Sequence, residues 1–198
     1  INITTDKCYE NIEEDIGYKE TDKMGGSDPY SSSKGCAELV TASYRQSFYQ
    51  NKNIGLASVR AGNVIGGGDW ADNRLIPDIL RSFEKNKSVI IRNPKAIRPW
   101  QHVLEPLSGY LILAEKLYQN QEKYSEGWNF GPNDEDAKSV DWILDKMVLK
   151  WPGSSWEVDY SPNPYEASFL KLNIAKVRHK LGWKPVWGLN HTLERIVD

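Results

Sequence analysis

Two short apolar runs, Ile1-Asn2-Ile3 and Gly55-Leu56-Ala57-Ser58-Val59-Arg60-Ala61, stand either side of a helical pattern. Both read as buried strands, the first from its β-branched residues and the second from its near-continuous apolar character. Between them Tyr30, Ala37, Val40, Tyr44, Ser47 and Phe48 recur at helical spacing, which predicts a helix over roughly 30–50. Pro29 suits its first turn, where the missing N–H costs nothing. Strand, helix and strand within about 60 residues imply a parallel, right-handed βαβ unit.

That topology constrains where chemistry can sit. In open parallel α/β sheets, ligands lie beyond the carboxyl ends of the strands. The first run continues into Thr5, Asp6 and Lys7, so it delivers three reactive side chains to that end; a strand followed by an inert polar turn would read the same way. On the helix, Tyr30 and Lys34 are four apart and share a face. A phenol beside an ammonium is a proton-transfer pair, because the positive charge favours the phenolate. With 10 Tyr in the chain, one Tyr-x-x-x-Lys is expected by chance, so the pair draws its meaning from its neighbours.

Residues 8–28 are polar and end in Gly25-Gly26-Ser27-Asp28, a loop bringing the Tyr30 helix beside the first strand. Gly62-Asn63-Val64-Ile65-Gly66-Gly67-Gly68 does not have the spacing of G-x-G-x-x-G, and no helix opens directly after it. It reads as a backbone turning tightly against a ligand, and no dinucleotide fingerprint or Walker loop occurs in these residues. Further along, helices are predicted over 74–83, 104–117, 140–149, 173–181 and 189–197, and strands over 89–91, 127–131 and 156–160. A proline-bearing loop spans 161–164; Asn173 caps the 173–181 helix and Gly182 ends it. Arg74 and Arg98 are candidate phosphate forks, although composition alone favours a surface role for each. His102 reads as a hydrogen-bonded core or interface histidine.

The 198 residues, 39% hydrophobic and 26% charged, have the composition of an ordinary soluble protein, long enough for one sizeable core or a core and a half. A net charge of −2 without a basic stripe argues against nucleic acid, and no apolar run reaches membrane-spanning length. Two cysteines, Cys8 and Cys36, make no disulfide framework, and no Cys/His group has zinc spacing. A reducing cytoplasm fits this usage. The eight Trp serve mostly for packing, with ring platforms for a sugar or base as the alternative. The chain opens on Ile1, already in what reads as a strand, and so looks like a piece whose N-terminal part lies elsewhere.

Taken together, these motifs carry a family resemblance. The run Thr4-Thr5-Asp6-Lys7-Cys8-Tyr9-Glu10, the run Asp28 to Lys34, Arg60-Ala61-Gly62-Asn63-Val64-Ile65-Gly66-Gly67-Gly68-Asp69-Trp70 and Arg98-Pro99-Trp100-Gln101-His102-Val103 resemble the extended short-chain dehydrogenase/reductase superfamily. Within it they look like nucleotide-sugar 4,6-dehydratases of the CDP-glucose type. The similarity covers essentially the whole chain; the combined motifs are specific and no single one is.

The resemblance implies an α/β fold: the C-terminal part of a Rossmann-type parallel sheet from residues 1–62 and 101–131, and a smaller mixed α/β lobe over the sugar nucleotide from 63–100 and 132–198. It implies NAD as a recycled cofactor, CDP-D-glucose as substrate, and a homodimer or homotetramer joined partly through the Tyr30 helix. Tyr30 would take the proton of the sugar 4-hydroxyl, Lys34 would favour its phenolate and hydrogen-bond the nicotinamide ribose, and Thr5 would hydrogen-bond the 4-oxygen. Asp6, with a raised pKa, would protonate the departing 6-hydroxyl. Lys7 stands where most dehydratases of the superfamily carry Glu, and would remove the C5 proton if held largely neutral. Asn63, Arg74 and Arg98 would contact the nucleotide diphosphate, and Asn129 would lie near the same pocket. The glycine-rich loop and the acidic residue for the adenosine ribose belong upstream of Ile1. Without them, NAD binding by these residues alone is expected to be very weak and the fragment inactive.

Overall fold

A computed structural model describes residues 1–50, 52–161 and 167–198. The proline-bearing loop expected over 161–164 lies, beyond Ser161, outside the described residues.

The chain runs β1 (Asn2–Ile3), α1 (Pro29–Tyr44), β2 (Ser58–Ala61), β3 (Asn63–Ile65), α2 (Leu75–Glu84), β4 (Val89–Ile91), β5 (Ile97–His102), α3 (Leu104–Gln119), α4 (Gln121–Tyr124), β6 (Gly127–Phe130), β7 (Ala137–Ser139), α5 (Val140–Lys150), β8 (Trp156–Val158), α6 (Ala175–Leu181) and α7 (Leu189–Val197). Strands β1, β2 and β6 form a parallel sheet in that order, with Asn2 opposite Ser58 and Val59 opposite Trp128. The βαβ unit from β1 through α1 to β2 is therefore parallel, as the spacing predicts. A second sheet pairs β3 parallel and β7 antiparallel to β5, and β4 pairs β8 in parallel.

The first strand is shorter than the run suggests. It ends at Ile3, and Asp6–Cys8 forms one turn of 3₁₀ helix entered through Thr5, whose Oγ1 accepts the Lys7 N–H at 3.4 Å. Helix α1 starts on schedule: Asp28 caps it by accepting the Ser31 N–H at 3.0 Å, and Pro29 opens its first turn. It continues as a π-helical turn, Arg45–Tyr49. Its orientation is the surprise. The apolar positions Tyr30, Val40, Tyr44 and Phe48 are exposed, and the buried face is Ser31, Gly35, Glu38 and Thr41. Small side chains let α1 lie close on the turn after β1, and buried Arg60 neutralises Glu38.

The tight turn expected over 62–68 is confined to its end: Asn63 to Ile65 form a strand paired with Trp100 to His102, and the turn follows at Gly67-Gly68, with Gly68 at φ +81°. Gly62 is required by β5: a Cβ would stand 2.4 Å from Pro99 Cγ and 2.8 Å from its carbonyl oxygen. Strand β5 itself was hidden because it carries Arg98 and Pro99, residues untypical of a central strand.

One core joins Ile79, Phe83, Val89, Trp100, Ile143, Leu144, Met147, Leu189 and Leu193 from α2, β4, β5, α5 and α7. Another packs α3 and α6 on the first sheet through Val59, Leu113, Trp128, Phe130, Val177 and Trp183. Gly182 ends α6 at φ +70°, the left-handed conformation predicted for it. Asn173 accepts the Ala175 N–H at 2.9 Å, one residue earlier than the helix's formal cap, Ile174. Cys8 is buried and Cys36 exposed, both as free thiols. Among the described residues no helix is long and apolar enough to cross a membrane.

Candidate active site

The turn after β1, the start of α1 and the loops after β2 and β4 meet around three adjoining cavities. One, of about 230 Å³, is lined by Thr5, Asp6, Lys7, Tyr30, Asn63, Arg74 and Trp100. A second, of about 570 Å³, shares Lys7, Tyr30 and Arg74 and adds Tyr9, Arg92 and Arg98. A third, of about 240 Å³, shares Lys7, Asn63, Arg74, Arg92 and Arg98. Lys7 and Arg74 border all three, so they form one continuous cleft at the carboxyl ends of parallel strands.

Thr5 and Asp6 are buried by α1 packing on the 3₁₀ turn. The Thr5 hydroxyl donates to Asp6 Oδ1 at 3.0 Å, while Asp6 Oδ2 is buried with no hydrogen-bond partner among the described residues. Desolvation raises the Asp6 pKa to about 6 against the opposing pull of the Thr5 hydroxyl and the positive charges of Lys7 and Arg98. A carboxyl so placed holds a proton that it can give up near neutral pH, as the acid role requires.

Tyr30 is half exposed on the cleft wall. The Lys34 ammonium lies 5.7 Å from its ring centroid and the Lys7 ammonium 6.0 Å, so two cations flank one phenol. At the N-terminus of the same helix, hydrogen bonds from the Ser31 hydroxyl and N–H hold the Asp28 carboxyl below its usual range. Asp28 is thereby committed to capping.

Arg98 is buried and held by two carbonyls, donating from Nη1 to Ile97 O at 2.9 Å and from Nη2 to Ala167 O. Arg74 is exposed at the N-terminus of α2. Both border the cleft, and so does Asn63 at the start of β3.

Asn129 is not brought to the cleft. It is fully buried on β6: its Oδ1 accepts the Tyr9 hydroxyl at 2.7 Å, and its Nδ2 donates to Tyr18 O at 2.8 Å and Asn173 O at 3.3 Å. Both polar atoms of that side chain are committed to tying three loops to the first sheet, and Asn129 lines none of the three cavities.

Sequence reasoning passed over the network beneath the site. Glu38 Oε2 lies 2.8 Å from Arg60 Nη2 and accepts the Ser58 hydroxyl at 2.6 Å, while Thr4 donates to Oε1. Arg60 Nη1 donates to the Tyr9 hydroxyl at 2.7 Å, which leads on to Asn129. Burial opposes ionisation of Glu38, but Arg60 and the two hydroxyls outweigh it and hold the carboxyl below its usual range. The available signal was Glu38 on the face shared by Ser31, Gly35 and Thr41. His102 answers its reading: it is buried, its Nδ1 accepts the Leu104 N–H at 3.2 Å, and its ring packs 4.8 Å from Trp187.

Residues 1–196, nearly the whole chain, match the family described as GDP-mannose 4,6 dehydratase. The chain belongs to that family. Among curated relatives, CDP-glucose 4,6-dehydratase of Salmonella typhimurium is 62% identical over 203 residues, covering 100% of this chain and 56% of the relative. The dTDP-D-glucose 4,6-dehydratase of Mus musculus is 25% identical over 201 residues, covering 98% of this chain and 54% of the relative. The chain thus spans about half the length of these curated relatives.

Solved structures share the fold. The dTDP-glucose 4,6-dehydratase of Bacillus anthracis in complex with NAD has a TM-score of 0.80 at 18% identity, covering 98% of this chain and 59% of that one. The UDP-glucuronic acid 4-epimerase of Bacillus cereus in complex with UDP-glucuronic acid and NAD has a TM-score of 0.83 at 18% identity, covering 99% of this chain and 59% of that one. The fold is accordingly of Rossmann type, part parallel sheet and part mixed α/β.

Proposed function

We propose that this chain carries the catalytic and sugar-nucleotide-binding residues of an NAD-dependent CDP-D-glucose 4,6-dehydratase. The observation that supports the reading is Asp6: a buried carboxyl with one oxygen unpartnered among the described residues and a pKa raised by burial to about 6, in the same cleft as Tyr30 and Lys7. A 4-epimerase has no use for such an acid. The 62% identity to the Salmonella CDP-glucose 4,6-dehydratase supports the choice of nucleotide.

Tyr30 borders the cleft and the Lys34 ammonium lies 5.7 Å from its ring centroid, an arrangement that suits the nicotinamide-ribose end of NAD. NAD, when bound, supplies a hydride acceptor at sugar C4 and a donor at C6. This chain's residues do the remaining work. Tyr30, as phenolate, takes the proton of the 4-hydroxyl, and Thr5 hydrogen-bonds the same oxygen. The resulting 4-ketone acidifies the C5 proton, which Lys7 removes. Asp6 gives its proton to the departing 6-hydroxyl, which leaves as water, and once C6 has been reduced Lys7, exchanged with solvent, returns a proton to C5. Asn63, Arg74 and Arg98 hold the diphosphate. Residues 1–62 and 101–131 serve the cofactor side, and 63–100 with 132–198 close over the sugar nucleotide. The exposed flank of α1, with Leu39, Val40, Tyr44 and Phe48, supports association of two copies through that helix.

The test is to incubate the protein expressed from its complete gene with CDP-glucose in heavy water. The expected product has lost one water and carries deuterium at C5. CDP-galactose with no loss of water would instead establish a 4-epimerase, and unchanged CDP-glucose would overturn the assignment.

A further inference from the structure

We propose that a separate pocket, at the end of the first sheet opposite the cleft, binds a small hydroxylated carboxylate of the sugar-acid class through Arg45. The inference stands apart from the nucleotide-sugar reading of the cleft.

The connections that lead into β2 and β6 place the pocket. Helix α1 starts near the cleft with Tyr30, and its π-helical continuation carries Arg45, Gln46 and Tyr49 to the pocket wall. Single π-helical turns at α-helices are frequent at functional sites. The last residue of α3, Gln119, and the first turn of α4, with Gln121 and Glu122, line it too. Ile54 and Ser125, just ahead of β2 and β6, also border it, so it lies at the amino ends of the parallel strands. The cavity, of about 610 Å³, shares no residue with the three that form the cleft, and its size suits a small ligand.

Arg45 assigns the charge of that ligand. Its Nε donates to Leu56 O at 2.7 Å, its one hydrogen bond among the described residues, and Nη2 is buried with no partner. Glu122, exposed in the same pocket, makes no ion pair with it. The two carboxylates that favour the Arg45 charge from further off are committed elsewhere: Glu38 pairs with Arg60, and Glu126 with Lys176 and Lys180. A half-buried guanidinium with an unpartnered terminal edge gains from an oxyanion that can accept two of its N–H groups at once. Among the described residues Arg45 is the only cation in the wall, so a singly charged carboxylate is balanced there and a phosphate monoester is not.

The amides assign the body of the ligand. Nε2 of Gln119 donates to Glu115 Oε1 at 3.0 Å and Nε2 of Gln121 donates to Tyr118 O at 2.9 Å, which leaves their Oε1 atoms as acceptors. Gln46 makes no hydrogen bond among the described residues and offers a donor and an acceptor. Carbonyl oxygens beside an anion site call for hydroxyl donors on the ligand, and Tyr49 with Ile54 adds apolar surface for a ring.

The experiment takes the protein expressed from its complete gene, as wild type, R45Q, R45K and E122Q, and titrates each with D-glucuronate, D-glucose and glucose 6-phosphate by ligand-observed NMR. Wild type is expected to bind glucuronate with a Kd on the order of 1 mM, and the other two at least about tenfold more weakly. R45Q should bind glucuronate about tenfold more weakly than wild type, with R45K between them, because the charge-assisted fork is lost. E122Q, which removes the like charge from the pocket, should bind it about threefold more tightly. Added CDP should leave glucuronate bound. If R45Q does not fold, R45K and E122Q decide. No glucuronate binding by wild type overturns the proposal, as does wild-type affinity in R45Q or E122Q. Equal affinity for glucose or glucose 6-phosphate also overturns it, and so does displacement by CDP, which would put the sugar acid in the cleft.

Discussion

Thr5 and Asp6 share a hydrogen bond of 3.0 Å that satisfies one carboxylate oxygen of Asp6 and leaves the other buried without a partner among the described residues. Burial raises the pKa of the carboxyl to about 6 against the lowering pull of the Thr5 hydroxyl. It also sets a pH dependence. The folded pKa of Asp6 is raised to about 6, so its contribution to stability is complete below about pH 4 and is lost as pH rises through 6. D6N removes the penalty of the buried charge. The variant should be more stable than wild type at pH 8, by up to about 3 kcal/mol in urea unfolding, with the gain fading toward pH 4. Its dehydratase kcat should fall about 10²–10⁴-fold. In wild type, the alkaline limb of kcat/KM should begin near pH 6.

In the proposed function Tyr30 and Lys7 serve two different chemical steps, and their variants should separate them. Y30F should leave stability within about 0.5 kcal/mol, because the ring is half exposed, yet abolish reduction of bound NAD by CDP-glucose. K7M should still reduce NAD slowly and then stall, seen as persistent NADH absorbance without loss of water. Normal turnover by K7M would remove Lys7 from the role of C5 base.

Glu38 and Arg60 predict a structural failure distinct from either. Their 2.8 Å contact is buried, so E38Q leaves an uncompensated guanidinium and should cost about 3 kcal/mol in chemical unfolding. The carboxyl lies below its usual range, so this stabilisation is present above the ordinary carboxylate range and lost as pH falls through the lower folded value. An acid-unfolding midpoint in E38Q identical to that of wild type would remove the pair from that account. E38L with R60M should restore much of the lost stability.

Gly62 offers a local test of the β3–β5 seam. An alanine Cβ there would meet Pro99 at 2.4 Å, so the backbones must part. G62A should lower stability by about 1–3 kcal/mol and weaken nucleotide binding, because Asn63 moves with the strand. Unchanged binding would detach Asn63 from the diphosphate.

The parts of the molecule that sequence revealed are those fixed by local pattern. Asp28 and Pro29 start α1, Gly182 stops α6, and the spacing of β1, α1 and β2 dictates a parallel unit. Thr5, Asp6, Lys7, Tyr30, Arg74 and Arg98 do line one cleft, because strand ends and a helix start converge there. What stayed hidden depends on partners distant in sequence. The inward face of α1 is polar, and only the arrival of Arg60 from 22 residues away makes that face buriable. Asn129 looked like a pocket residue because its commitments to Tyr9, Tyr18 and Asn173 are visible only once three loops have met. Pro99 disguised β5 because its neighbours, not its propensity, hold it in the sheet.

The two thiols form a natural pair of probes. Cys36 is exposed on α1, whereas Cys8 is buried and its pKa is pushed up to about 12, so the native fold offers one labelling position and withholds the other. Incorporation of a second alkyl group then counts molecules in which the 3₁₀ turn carrying Asp6 and Lys7 has come away from α1, and its rate reports how often that corner opens.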